Sequence, residues 1–292
     1  MRWTGVLAVL ASAAGFATVA IFIKYAYEAG ASTFTILTVR FSLAALLLAA
    51  AAAWRKMTLR LPGKRLRHLL VLGAFGYGLM AILFAASLRH VSASIGALLL
   101  YAYPALVTLI AAALGDEKMQ RQKALSLLIC FIGLGFVLGI SFQQLSGLGI
   151  ALGLASALVY AAYIVFSNRL LKEIPALVAA TYVCGAAALL CALGGLLSDS
   201  LAFELPLSGW LALAGIAFFG TVVGVLGFLL GMNRVGPANA SIISMIEPVI
   251  TVLLSALLLG DRLSLPQLSG GSLILLGIVL LQLGTARAKK AA

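Results

Sequence analysis

The stretch Leu229–Asp261 reads LLGMNRVGPANASIISMIEPVITVLLSALLLGD. It is apolar enough to cross a bilayer, which takes ~20 residues at ~1.5 Å rise each. Yet it sets a carboxylate and a proline side by side, Glu247 and Pro248. It also has an echo in Ala85–Glu117, AASLRHVSASIGALLLYAYPALVTLIAAALGDE. Pro248 falls on Pro104, Val235 on Val91 and Asp261 on Glu117, each 144 residues apart. The same offset joins Gly5 to Gly149, Ser12 to Ser156, Phe22 to Phe166, Phe75 to Phe219, Gly76 to Gly220, Phe84 to Phe228 and Gly133 to Gly277, without a gap. Chance likeness between two Ala/Leu-rich helices would not match proline, glycine and phenylalanine at one spacing.

Composition sets the class. Of 292 residues, 63% are hydrophobic and 10% charged, whereas a globular domain is nearer half apolar and a quarter charged. The mean hydropathy of +1.16 points the same way. Ten apolar runs, at about 4–24, 33–54, 66–88, 92–114, 122–141, 147–168, 175–197, 209–232, 236–259 and 267–286, alternate with short charged joints. Backbone groups in lipid must be satisfied within their own segment, so the runs predict helices. No period-two alternation supports a barrel. The first run, behind Arg2, has the look of a signal peptide, but its counterpart at 147–168 is internal, so it reads as structure. The net charge of +12 does not signal nucleic acid, because the cations sit between apolar runs and not on a folded polar face. Cys130, Cys184 and Cys191 lie inside apolar runs without metal-ligand spacing, so no metal and no cofactor are expected. The joints are too short for a nucleotide-binding domain and hold no P-loop.

Arg and Lys set the orientation. Sixteen of the 20 cations fall on the side of the N-terminus; Lys24, Arg89 and Arg262 fall opposite, and Arg40 lies within the second span. Both termini are therefore expected in the cytoplasm, in a bacterial inner membrane. Five spans per half is an odd number, so the second half enters from the opposite side. The expected division is residues 1–144 and an inverted 145–292. The charges agree: the 55–67 joint carries six cations and its counterpart at 199–211 none, with Asp199 and Glu204 instead.

The two tracts ending in LGDEK and LLGDR, the VRF of Val39–Phe41 and the EP of Glu247–Pro248 resemble the drug/metabolite transporter superfamily, and within it the EamA-type members of two five-helix repeats. The chain is similar in particular to YddG-type amino-acid exporters. The resemblance covers essentially the whole chain. It implies an all-α membrane protein of ten transmembrane helices, in two inverted-topology five-helix repeats, forming a basket around a central cavity lined by helices 1, 3, 4, 6, 8 and 9.

Candidate site residues follow from helical spacing. Ser244, Glu247, Thr251 and Ser255 form one polar seam of the ninth span. An ionised mid-span side chain costs roughly 2.5–3.5 kcal/mol on insertion scales, so Glu247 must face protein or water. Pro104 and Pro248 break their helices at matched points, the mark of a carrier's mid-membrane hinge. Helix six offers Ser156, Tyr160, Tyr163 and Ser167, and helix three Gly73, Tyr77, Met80 and Phe84. Helix four adds Tyr101 and Thr108, helix eight Thr221 and Phe228, and helix one Ser12 and Phe16. Tyrosine suits a half-wet wall, since its ring packs while its hydroxyl bonds. Asn239 is a further polar candidate. Arg40 could take a substrate carboxylate, but the resemblance puts helix two outside the wall, so a structural role is expected. The expected activity is export of amino acids and similar small amphiphiles by alternating access, as uniport or with protons, by a monomer surrounded by lipid. The alternatives are a quaternary-cation (methyl viologen) exporter and an integral-membrane enzyme. The latter would show clustered His, Asp or Glu at one membrane face, and the sequence has no such cluster.

Overall fold

The computed structural model describes residues 2–91, 93–117, 120–139, 146–259 and 264–290. Asp261, matched above to Glu117, and the side chain of Ser255 lie outside what is described. Every regular element among the described residues is helical. Among the described residues, nine helices are long and apolar enough to cross a membrane: α1 (Trp3–Glu28), α2 (Thr33–Trp54), α3 (Gly63–Ser87), α4 (Ile95–Ala113), α5 (Arg121–Leu138), α6 (Gly147–Leu170), α7 (Ala176–Leu197), α8 (Leu207–Val235) and α9 (Pro237–Leu254). A tenth, α10 (Leu265–Lys290), carries its apolar part over Leu265–Leu281.

The 144-residue offset reappears in three dimensions. α1 packs on α8 and α3 on α6, and the shift turns one pairing into the other. α2 packs on α7 and α5 on α10, so each of these pairs maps onto itself. Such reciprocity is what an internal pseudo-two-fold axis generates. Individual bonds obey it. Ser12 Oγ donates to the Gly224 carbonyl (2.6 Å) and Ser156 Oγ to the Met80 carbonyl (3.0 Å). Both the donors and the acceptors stand 144 apart.

Departures from the α-helix are matched too. α3 widens into a π-helical stretch at Leu72–Gly78 and α8 at Ile216–Val223. Within the latter, Thr221 Oγ1 bonds the Ile216 carbonyl (3.1 Å) and receives Arg40 Nε (3.2 Å). α4 is interrupted at Tyr101–Ala102 and α9 at Met245–Ile246, each just before its proline. The perimeter is apolar: Leu46, Trp54, Phe75, Leu128, Leu189 and Leu257 are exposed. In a membrane helix bundle this is the lipid-facing side.

Candidate functional site

A cavity of about 440 Å³ runs from the helix breaks near mid-span to the end of the bundle opposite the N-terminus. Its mouth lies between the α1–α2 joint, marked by Tyr27 and Thr33, and the end of α3, marked by Leu88 and Arg89. Its floor is polar and aromatic, with Tyr101 and Tyr103 from α4, Tyr77 from α3, Tyr160 from α6, and Ser244 and Glu247 from α9. The break in α9 turns the Glu247 side chain into this space, where it is partly exposed although it sits in mid-bundle.

The rings form a continuous wall. Tyr103 meets Tyr160 with centroids 4.7 Å apart, Tyr77 meets Tyr163 at 5.4 Å, and Phe41 closes edge-on against Tyr77 at 5.4 Å. The Tyr101 hydroxyl faces the Glu247 carboxyl group. Ser244 Oγ is buried beside the Tyr103 hydroxyl. On the α2 side stands Arg40, nearly buried, its guanidinium 4.7 Å from the Phe41 ring centroid. Among the described residues the ion pairs are Arg65–Glu173, Lys123–Glu117 and Arg169–Asp116, so neither Arg40 nor Glu247 is in an ion pair. A site that offers a cationic donor, a carboxyl group and tyrosine faces can hold a molecule with two opposite charges and an apolar body.

The structure brings seven of the sequence-derived candidates into this cavity: Phe16, Tyr77, Phe84, Tyr101, Tyr160, Ser244 and Glu247. Three do not line it. Tyr163 lies behind Tyr77 and Tyr160, and Phe228 is buried in α8. Asn239 spends its amide on the Val235 carbonyl (2.7 Å), which closes the turn at the start of α9. Pro104 and Pro248 are buried at the two breaks. Two expectations about helices need correction. α2 lines the cavity through Thr33, Ile36, Leu37, Arg40 and Phe41, whereas α8 contributes no lining side chain. The cavity opens at the end of the bundle where α2 begins, so the first turns of α2 stand in its wall. Tyr103 was missed, and its signal was available, because it is the 144-offset counterpart of Glu247.

A bundle of helical spans related by an internal two-fold, around a polar mid-membrane cavity open at one end, defines a multi-pass membrane transporter. The chain belongs to the EamA-like transporter family, which it matches twice, over residues 3–139 and 147–283, and hence to the drug/metabolite transporter superfamily. It is 31% identical to an uncharacterized transporter, YcbK, of Bacillus subtilis, over 91% of this chain and 88% of that one. It is 29% identical to an uncharacterized transporter of Archaeoglobus fulgidus over 96% of each. A probable amino-acid metabolite efflux pump of Salmonella typhimurium is 27% identical over 69% of this chain and 71% of its own. A crystal structure superposes with a TM-score of 0.88 at 21% identity, covering 99% of both chains, and shares the fold.

Proposed function

We propose that this protein exports amino acids, favouring those with apolar or aromatic side chains, across the bacterial inner membrane by alternating access, as a monomer with both termini in the cytoplasm. The observation that carries this reading is that Arg40 and the Glu247 carboxyl group, neither of them in an ion pair, both line a cavity walled by tyrosines. Glu247 and the Tyr101 hydroxyl receive the ammonium group, Arg40 receives the carboxylate, and Tyr77, Tyr103 and Tyr160 take the side chain. The breaks before Pro104 and Pro248 act as hinges. The amino-acid metabolite role named for the Salmonella relative supports the substrate class, and the charge asymmetry of the joints supports the orientation.

The test is flux in proteoliposomes. Glu247→Gln removes a charge-assisted contact of ~1.5–3 kcal/mol, so counterflow of a radiolabelled amino acid should fall by about tenfold or more. Undiminished flux would remove Glu247 from recognition. A second reading, export of quaternary cations, draws on the same carboxyl group amid aromatic rings. Arg40 counts against it, since a cation gains nothing from a guanidinium in the wall. Protection of cells against methyl viologen, unaffected by Arg40→Gln, would favour it.

A further inference from the structure

A second hollow, of about 300 Å³, lies on the outside of the bundle at its N-terminal end, between the start of α3 and the end of α6. Val71, Leu72, Phe166 and Leu170 form its apolar part, and Arg67, His68 and Arg169 supply its polar groups. The 144-residue shift carries this groove onto the other end of the bundle, between α8 and the end of α1, where Gly215 stands for Val71 and Phe22 for Phe166. There the groove is sealed. Phe22 lies in the notch that Gly215 leaves, where an added Cβ would stand 2.7 Å from the ring, and it packs on Ala212, Leu213 and Ile216. In the first half the Val71 side chain denies Phe166 that notch. The Phe166 ring stays 43% exposed, and the groove stays open.

We infer that this groove is a binding site for an anionic phospholipid, whose acyl chain lies along Val71, Leu72, Phe166 and Leu170 and whose phosphate sits between Arg67 and Arg169. The inference does not depend on what the protein transports.

The place of the groove dictates that lipid fills it, since Leu70, Val71, Phe75 and Phe166 around it are exposed on the outer wall. The charges then choose the headgroup. Arg169 is held in position: its Nε donates to Asp116 at 3.0 Å and its guanidinium lies 5.8 Å from the Phe166 ring centroid. That hydrogen bond uses one of five N–H donors, and the others suit a phosphate. Arg67 and His68 are exposed, as are Lys64 and Lys172 at the same helix ends. The carboxylates at this corner are already engaged, Asp116 by Arg169 and Glu173 by Arg65 at 2.8 Å, so positive charge is in excess. Basic pockets between spans on the cytoplasmic side attract phosphate headgroups. The fold does not require these cations, because the counterpart groove has Leu211, Ala212 and Tyr25 at the same three positions. Orientation in the membrane does not require the groove either, since cations anywhere in the joints set it.

The experiment is tryptophan quenching by brominated lipid, with the full chain reconstituted in phosphatidylcholine vesicles. In a Trp3→Phe, Trp54→Phe, Trp210→Phe background, Phe166→Trp reports on the groove and Tyr25→Trp on its counterpart. Brominated phosphatidylglycerol and brominated phosphatidylcholine are compared at equal mole fraction. Phe166→Trp should show an apparent affinity for the anionic lipid about fivefold or more above that for the zwitterionic one, the order expected from a single cation near the surface. Tyr25→Trp should show no preference. Adding Arg67→Gln should cut the preference at Phe166→Trp severalfold, whereas Arg67→Lys should keep most of it. Should Phe166→Trp impair folding, Leu170→Trp carries the same reading. Equal quenching by the two lipids in the groove overturns the inference, as does an equal preference at Tyr25→Trp or one that survives Arg67→Gln. A preference abolished by millimolar inorganic phosphate, at constant ionic strength, also overturns it, because the groove would then hold a soluble anion. Quenching needs no transported substrate, so absent amino-acid flux with the lipid preference intact would count against the transport reading alone.

Discussion

Arg40 and Glu247 are the two ionisable side chains that line the cavity in mid-bundle without an ion pair among the described residues, and their placement decides what the cavity can recognise. Glu247 was legible in the sequence. A lone carboxylate halfway along a span has to face protein or water, and the break at Met245–Ile246 delivers it to the cavity. Arg40 was legible as a mid-span cation but not as a wall residue, because helical spacing does not say at which end of the bundle the cavity opens. A guanidinium has five N–H donors, and the described hydrogen bond of Arg40, to Thr221, uses one. The others can fork onto a carboxylate. Arg40→Gln should therefore raise the half-saturating concentration of an amino acid by about tenfold or more, and leave that of the corresponding decarboxylated amine unchanged or lower. Equal losses for the two compounds, measured by counterflow, would mean that Arg40 shapes the wall without reading the carboxylate. Tyr163 and Phe228 show the limit of reading by helical spacing: each falls on the expected stripe, yet each is packed against protein.

At the scale of elements, the helix pairs hold together by close approach of backbones. In lipid there is little hydrophobic drive between helices, so small residues and dispersion contacts carry the packing. α5 and α10 show this plainly. A Cβ added to Gly133 would stand 2.6 Å from the Gly270 carbonyl oxygen, and one added to Gly270 would stand 2.5 Å from that of Gly133. Glycines spaced four apart, such as Gly220 and Gly224, are common in membrane helices and do not say which helix meets which. The matched π-helical stretches, Leu72–Gly78 and Ile216–Val223, were not foreseen. One extra residue per turn leaves no mark on hydrophobic periodicity when the whole helix is apolar. Because α5 and α10 supply no side chain to the cavity, Gly133→Leu separates stability from recognition. It should cost about 1–3 kcal/mol through overpacking, lower the melting temperature in detergent, and leave the half-saturating concentration of the protein that folds unchanged. A rise in that concentration at unaltered melting temperature would show that the α5–α10 pair reaches the site after all.

For the whole molecule, the offset of 144 residues carries the most consequence, and it was readable before any coordinate. It fixes which helices exchange partners, where the breaks fall, and which buried side chains have a cavity-lining counterpart. What it does not give by itself is the direction of the chain relative to the cell, and this is where charge enters. With five spans per half, a reporter fused after residue 144 and one fused after Ala292 should land on opposite faces. The 55–67 joint, with six cations against none at 199–211, places the second of these in the cytoplasm. A fluorescent protein that matures only in the cytoplasm should therefore light up at the C-terminus and stay dark after residue 144, and alkaline phosphatase fusions should show the reverse. Like signals at both positions would mean an even number of spans in one half. The copies would then be parallel, and the exchange of conformations between them could not carry the cavity from one face of the membrane to the other.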